Sequence, residues 1–465
     1  MSPKKVQRNN FIKSPKPKSS ICRMLVDFIK LFFSQSSIGG LSHITQENRH
    51  PIERFIWFVL VAAAVYGASV LSSLTWTRYQ ENPTVISMER DRFSWNTSFP
   101  SATICPFLKV DTKKLDDYLS TATDISNKSL FRQFVISLSE ATYSNLESVV
   151  EYNGVSPDDY MELIRKFRFN FNPTVTNSLS ASTALSLQQT ITEMGQCYSF
   201  NSHLAVYNSQ KYWDSGSWKL VPQAELFYIS PLDGEVFVNV VNISSAYQVF
   251  IHGPYEVPDI ASKYVYASNG IFLQLYLTGM TIFTSEDAKE LRVKQRKCHF
   301  YYESKLPHSP VYSYVLCRME CRATLAMKLC GCIPHFYRKV EKEKICDVPG
   351  LHCLSKYKER LILLKDECSC LTNCDEVIFV IEDTDTREWF LGSNLQWGLK
   401  EYPNMRLRRD VIFSFSDLLV YIGGMAGLFL GCSVLSFIEI IYFFTLRLFW
   451  FVIRYGKDSN QVQQS

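Results

Sequence analysis

The chain has 465 residues and a formal net charge of +4, with 46% hydrophobic and 20% charged residues. That length allows a large core or several domains, and so small a charge excess gives no footprint for nucleic acid. The informative property is distribution: two apolar stretches near the ends enclose a mixed segment, residues 76–415.

Residues 1–53 form a basic N-terminal tail. Its first twenty residues, rich in Lys, Pro and Ser, read as a disordered or solvated segment able to touch anionic lipid. The run "ICRMLVDFIKLFF", ending at Phe33, has the pattern of a short amphipathic helix. Phe55–Leu74 then supplies 20 uncharged residues, enough for roughly 30 Å of helix, and residues 54–75 are expected to cross a membrane. The stretch starts too far into the chain for a cleaved signal peptide.

The segment 76–415 opens Pro-broken and strand-like. Helical patches such as "DDYMELIRKFRF" follow within 110–195, and β-branched and aromatic runs within 225–285 signal a sheet. It carries three Asn-x-Ser/Thr sequons, at Asn96, Asn127 and Asn242, and 12 of the 14 cysteines. Only Cys22 and Cys432 lie elsewhere. An even set of cysteines beside sequons predicts an oxidised, extracellular domain with six disulfides. C-x-C and C-x3-C spacings also suit zinc, but not in that compartment.

Twelve cysteines allow about ten thousand pairings, and sequence alone does not choose among them. Spacing narrows the choice. Cys317 and Cys321 share a helix face, while Cys368, Cys370 and Cys374 share one face of an extended strand. An antiparallel helix and strand are compatible with rungs Cys321–Cys368, Cys317–Cys370 and then Cys298–Cys374. Cys330–Cys353 and Cys332–Cys346 would close the loop between them, leaving Cys105 for Cys197. Such a stapled rod, residues 298–374, would act as a lever between a sensing head and a pore.

The second apolar stretch, Leu418–Leu446, is interrupted only by Glu439, and residues 416–446 are expected to span the membrane. Residues 1–54 carry ten Lys or Arg against three acids, and Arg447, Arg454 and Lys457 face only Asp458 in the tail 447–465. The positive-inside rule therefore puts both termini in the cytosol of a plasma-membrane protein. Gly423, Gly427 and Gly431 recur every fourth residue, the spacing that lets helices approach closely in lipid. Ser433, Ser436 and Glu439 form a polar stripe. A carboxylate near a bilayer centre costs roughly 2.5–3.5 kcal/mol on insertion scales, so Glu439 either pairs with Arg447 or faces water. The second option is a cation-attracting pore, built by several subunits because each chain has only two spans. No phosphate loop, dinucleotide fingerprint, internal repeat or nucleophile–base pair appears, so neither an enzyme nor a cofactor is expected.

These residues resemble the degenerin/epithelial sodium channel superfamily, and most closely its insect pickpocket branch, from about residue 35 to about 450. The carriers are "GLFLGCSVLSFIEIIYFFTLR", "GQCYSFN", "IHGPYEVPD", "CRMECRATLAMKLCGCIPHFY" and "CSCLTNCDEVIF". The resemblance implies a trimeric, sodium-selective, voltage-independent channel blocked by amiloride. Its α+β fold would have two transmembrane helices flanking a sheet core with a helical finger (about 106–196) and a disulfide-tied thumb (about 298–374). The Gly-x-Ser filter maps onto Gly431, Cys432 and Ser433, the acid below it onto Glu439, and the six cysteine pairs match. The sequence departs from the family where Gly39, followed by Gly40, stands in place of a gating histidine. Tyr442 replaces a second acid, and Val420 lies near a position that influences opening. A heteromeric accessory subunit and a non-conducting receptor on the same scaffold are the alternatives.

Overall fold

The computed structural model describes residues 20–46, 49–90, 95–122, 125, 127–178, 186–222, 225–340, 342–364 and 367–453. The basic tail 1–19 and the charges Arg454, Lys457 and Asp458 lie outside these residues. The chain divides into two compact units, one of residues up to Pro83 together with those from Ile412 onward, the other Thr84–Val411.

The first unit is helical. An amphipathic helix, Ser20–Gln35, is followed by a single turn and a half at Leu41–Thr45 and by the long helix Pro51–Glu81. That helix starts where Pro51 takes the first-turn position and the His50 ring accepts the Ile52 N–H, and it stops at Asn82, just before Pro83. It outruns the expected span 54–75, because polar residues after Leu74 continue the helix until that proline.

The second span is not the continuous helix that its length suggested. One helix, Phe415–Leu430, ends, and another begins at Val434 and runs through a π-helical turn, Phe443–Arg447. Pro51–Glu81 and Val434–Ile453 are long and apolar enough to cross a membrane, with mean hydropathies of 2.1 and 1.8, whereas Phe415–Leu430 is a shorter apolar helix. The amphipathic helix buries Phe28 and Phe32 against Phe443, Phe444 and Phe451, with ring centroids 5.3–6.1 Å apart.

The glycine spacing does not pack helices within one chain. A Cβ added at Gly423 would meet nothing within 4 Å. The close approach falls instead at Gly67, where a Cβ would sit 3.0 Å from the Phe429 ring.

The second unit is built on two sheets. The larger has the order Thr84–Glu89, Arg406–Val411, Ile271–Thr284, Ser393–Leu399, Val236–Ile243, Thr174–Asn177, with Glu376–Glu388 paired on the long strand Ile271–Thr284. Alternate residues Val236, Val238 and Val240, and Leu273, Leu275 and Leu277, point into one core with Trp397, as a one-sided strand requires. The Trp397 indole N–H is satisfied by the Pro100 carbonyl at 3.0 Å. The smaller sheet runs Val265–Ala267, Tyr247–His252, Ser101–Pro106, Gly195–Phe200, Gln188–Thr192.

Helices Thr112–Thr121, Lys128–Ser139 and Tyr160–Lys166 share a core with the long helix Tyr314–Cys330, through Phe134, Leu138, Leu316 and Ala323 among others. Six disulfides join Cys105–Cys197, Cys298–Cys374, Cys317–Cys370, Cys321–Cys368, Cys330–Cys353 and Cys332–Cys346. The partner of the Tyr314–Cys330 helix is not the expected strand. Cys368 to Leu371 lies outside any strand, and only Thr372–Asn373 pairs, in parallel, with Cys298–His299. Disulfides, not a hydrogen-bonded ladder, hold this segment.

At the centre of this unit Arg322 is fully buried. Its guanidinium bonds Glu193 Oε2 at 2.6 Å, Asp259 at 3.3 Å and the Leu361 carbonyl at 2.7 Å. The Tyr337 hydroxyl also donates to Glu193.

Candidate functional site: the break in the second membrane helix

The break is written in turn chemistry. Gly431 adopts a left-handed conformation, φ 62°, which costs glycine nothing and ends the preceding helix. Its N–H and that of Cys432 bond back to Gly427 and Ala426 at 2.9 and 3.3 Å. Ser433 then starts the next helix: its hydroxyl accepts the Ser436 N–H, and the Ser436 hydroxyl accepts the Ser433 N–H. Among the described residues, no backbone hydrogen bond reaches the carbonyls of Gly431 or Cys432. Cys432 is a free thiol.

The segment before the first membrane helix folds against this break. The Gly39 N–H donates to the Leu430 carbonyl at 2.9 Å, capping one of the acceptors that a helix end leaves open. The Ser37 hydroxyl lies 2.6 Å from Glu439 Oε2 and 2.8 Å from the Ser436 hydroxyl, and the Ser37 N–H reaches the same carboxylate oxygen at 3.2 Å. Ser37 has a single hydroxyl proton, so when it goes to Glu439 the Ser436 hydroxyl donates in the other contact. Ser436 is thereby buried at 3% exposure rather than open to an aqueous cavity in the single chain. Glu439 makes no ion pair with Arg447.

Gly40 is sterically required, and Gly39 is tightly packed. Gly40 has φ 87°, and a Cβ there would lie 2.8 Å from Val61 Cγ2. At Gly39 a Cβ would lie 3.2 Å from the Leu430 carbonyl oxygen. His43, three residues on, packs its ring on Trp57 at 4.6 Å. Val420 is 73% exposed in the single chain and is not brought near the break. Sequence reasoning missed Ser37, the Leu430 carbonyl and His43. The Ser-Ile-Gly-Gly composition was the only signal, and it names a turn, not its partner.

In the domain between the spans, Asn96, Asn127 and Asn242 are all exposed. The Asn127 side chain caps its helix by accepting the Leu130 N–H. Two titratable groups are set apart by their surroundings. Burial pushes the Glu256 carboxyl up to about 7, helped by the Glu376 charge and opposed by a hydrogen bond from Asn373 at 3.0 Å. His308 is clamped through both ring nitrogens, to Glu320 and to Glu343 at 2.8 Å each. Burial alone would lower its pKa, but the two carboxylates outweigh burial and raise it.

The family model for amiloride-sensitive sodium channels matches residues 32–443, which takes in the pre-membrane segment, every disulfide and the helix break. The chain belongs to the amiloride-sensitive sodium channel family. It is 24% identical to the sodium channel protein Nach of Drosophila ananassae, over 90% of this chain and 86% of that one. Pickpocket protein 11 of Drosophila melanogaster is 23% identical over 92% and 77% of the two chains. The bile acid-sensitive ion channel of Mus musculus is 23% identical over 91% and 88%. This is a membrane channel family and not an enzymatic one, and the two candidate transmembrane helices near the termini are what such a protein needs.

Proposed function

We propose that the chain is a pore-forming subunit of a trimeric, voltage-independent, amiloride-blocked sodium channel in the plasma membrane, with both termini cytosolic. An extracellular stimulus acting on the finger (about 106–196) and thumb (about 298–374) would open it. The observation that carries this reading is the programmed break at Gly431–Ser433. A membrane helix interrupted by three small residues, with two carbonyls left free of backbone partners, suits an ion pathway and serves no purpose in a plain anchor. Around a threefold axis, Gly431, Cys432 and Ser433 would form the filter. The open face at Gly423 would receive a neighbouring copy, and Glu439 would concentrate cations below.

The test is whole-cell current in sodium solution from cells expressing this chain alone, with and without amiloride. An amiloride-blocked sodium current supports the reading. Silence from glycosylated surface protein contradicts a self-sufficient channel. The Gly39 substitution favours one second reading, a subunit that conducts only beside a relative carrying the histidine. Co-expression with a pickpocket subunit separates that case from a non-conducting receptor.

A further inference from the structure

The six disulfides fall into two sets by burial. Cys105–Cys197, Cys298–Cys374 and Cys332–Cys346 are buried at both ends, each cysteine at 3% exposure or less. Cys317–Cys370, Cys321–Cys368 and Cys330–Cys353 are partly exposed at both ends. Thiol–disulfide exchange requires a thiolate to reach a sulfur, so burial protects the first set and not the second.

The three partly exposed bridges hold different things. Cys330–Cys353 joins the helices Tyr314–Cys330 and Val348–Ser355, which also share an apolar core through Leu325, Ala326 and Leu351. Opening it leaves that packing in place. Cys317–Cys370 and Cys321–Cys368 instead hold residues 367–371 on the Tyr314–Cys330 helix. Among the described residues, no hydrogen bond reaches the backbone of residues 368–370. The bonds lie at the ends of the segment. Arg360 donates to the Glu367 carboxylate at 2.7 Å, and the Tyr312 hydroxyl accepts the Leu371 N–H at 3.0 Å and donates to its carbonyl at 2.7 Å.

The segment is also entered under strain. Leu364, which closes the helix Lys358–Leu363, has φ 47°, a left-handed conformation that is costly for a leucine. Such strain persists only where the surroundings hold it. The Leu364 side chain is buried, and the next covalent hold along the chain is the rung at Cys368. A strained turn, a stretch without a ladder and two reachable disulfides together make a closed state that depends on sulfur chemistry.

We propose that Cys317–Cys370 and Cys321–Cys368 form a redox clasp, opened by a dithiol reductant while the three buried bridges stay closed, and that opening frees residues 367–371 from the helix. A thiolate of the dithiol attacks one sulfur of a rung, forms a mixed disulfide and expels the other cysteine as a thiolate. The second thiol of the reductant, deprotonated in turn, displaces the remaining cysteine. Each expelled thiolate takes up a proton, so the rung ends as two thiols, the reductant as its own disulfide, and two electrons have passed to the protein. Cys298–Cys374 stays closed and anchors the far end, so the release is local. The inference does not depend on whether the chain conducts.

The test is graded reduction of the full chain in lipid nanodiscs with dithiothreitol. Thiols that form are trapped with N-ethylmaleimide, the remaining bridges are then reduced in denaturant and labelled with iodoacetamide, and mass spectrometry reads each cysteine. The two rungs should open at a dithiothreitol concentration about tenfold or more below that needed for the three buried bridges. Amide hydrogen exchange over residues 367–371 should then speed up about tenfold or more, with exchange in the strand Ile271–Thr284 unchanged. Cys330→Ser with Cys353→Ser removes the third partly exposed bridge and should leave that response intact; if this variant does not fold, the order of labelling in the unmodified chain decides. Opening of all six bridges at one common concentration, or opened rungs with exchange at 367–371 unchanged, overturns the proposal.

Discussion

The Ser37 hydroxyl donates to the Glu439 carboxylate at 2.6 Å, linking residues 402 apart in sequence. Together with the bond from Gly39 to Leu430, it ties the segment before the first membrane helix to both halves of the broken second one. The tie explains how an acid is tolerated within an apolar helix: the carboxylate is solvated by a hydroxyl and an amide of its own chain.

If that tie is energetic, Ser37 and Glu439 are coupled. Ser37→Ala and Glu439→Ala, singly and together, should show an interaction energy of about 1 kcal/mol in the thermal unfolding of the protein in nanodiscs. Additivity within about 0.3 kcal/mol would show that the contact carries no weight.

Gly40→Ala should be costly for two separable reasons. The left-handed backbone costs a non-glycine residue about 1–2 kcal/mol, and the new methyl would press on Val61. Adding Val61→Ala should recover only the steric part. Gly39→Ala, facing a single carbonyl oxygen at 3.2 Å, should cost less than Gly40→Ala. The order of the three melting temperatures checks this.

How much of this was legible in the sequence depends on range. The place of the helix break was legible only through the family resemblance of Gly431, Cys432 and Ser433, since the apolar length of Leu418–Leu446 by itself suggests one continuous helix. The cysteine rungs were legible from their spacing, although the expected strand at 368–371 is absent, since disulfides fix the segment without a ladder. The glycine spacing does not mark the contact within a single chain: Gly423 faces open space, and Gly67, with no such pattern around it, takes the Phe429 ring. Ser37 was invisible, because its partner is far along the chain and no periodicity marks a lone serine.

The Arg322 cluster was invisible for the same reason, and it makes a stability prediction. Arg322→Met leaves Glu193 buried without its cation, while Asp259 keeps Arg318 at 3.2 Å, and should cost about 3–5 kcal/mol. Adding Glu193→Gln, which removes the unpaired charge, should return much of that. Failure of the double variant to melt above the single one would mean that the cluster's geometry, not its charge balance, is what matters.

Two groups contribute to the pH dependence of stability with the same sign. Glu256 titrates near 7 in the folded chain and lower when unfolded, so the fold holds its proton more tightly and stability falls as pH rises from about 4.5 to about 7. His308, raised by Glu320 and Glu343, contributes stability below its unfolded pKa that is lost as pH rises through the folded one. Glu256→Gln should therefore raise the melting temperature at pH 7.5 more than at pH 5. His308→Gln should lower it at pH 5.5 more than at pH 9. The reverse order for either variant would contradict the assigned surroundings.

If the Gly431–Ser433 break lines an ion pathway, the free thiol of Cys432 stands in that pathway and reports on it directly. A small, charged thiol reagent would be applied while sodium current is recorded, from this chain alone or with a conducting partner subunit, and the recording repeated on Cys432→Ala. The account predicts progressive loss of current in the unmodified channel and none in the variant. Equal inhibition of both, or current unaffected in the unmodified channel after Cys432 is shown to have reacted, would remove the break from the pore.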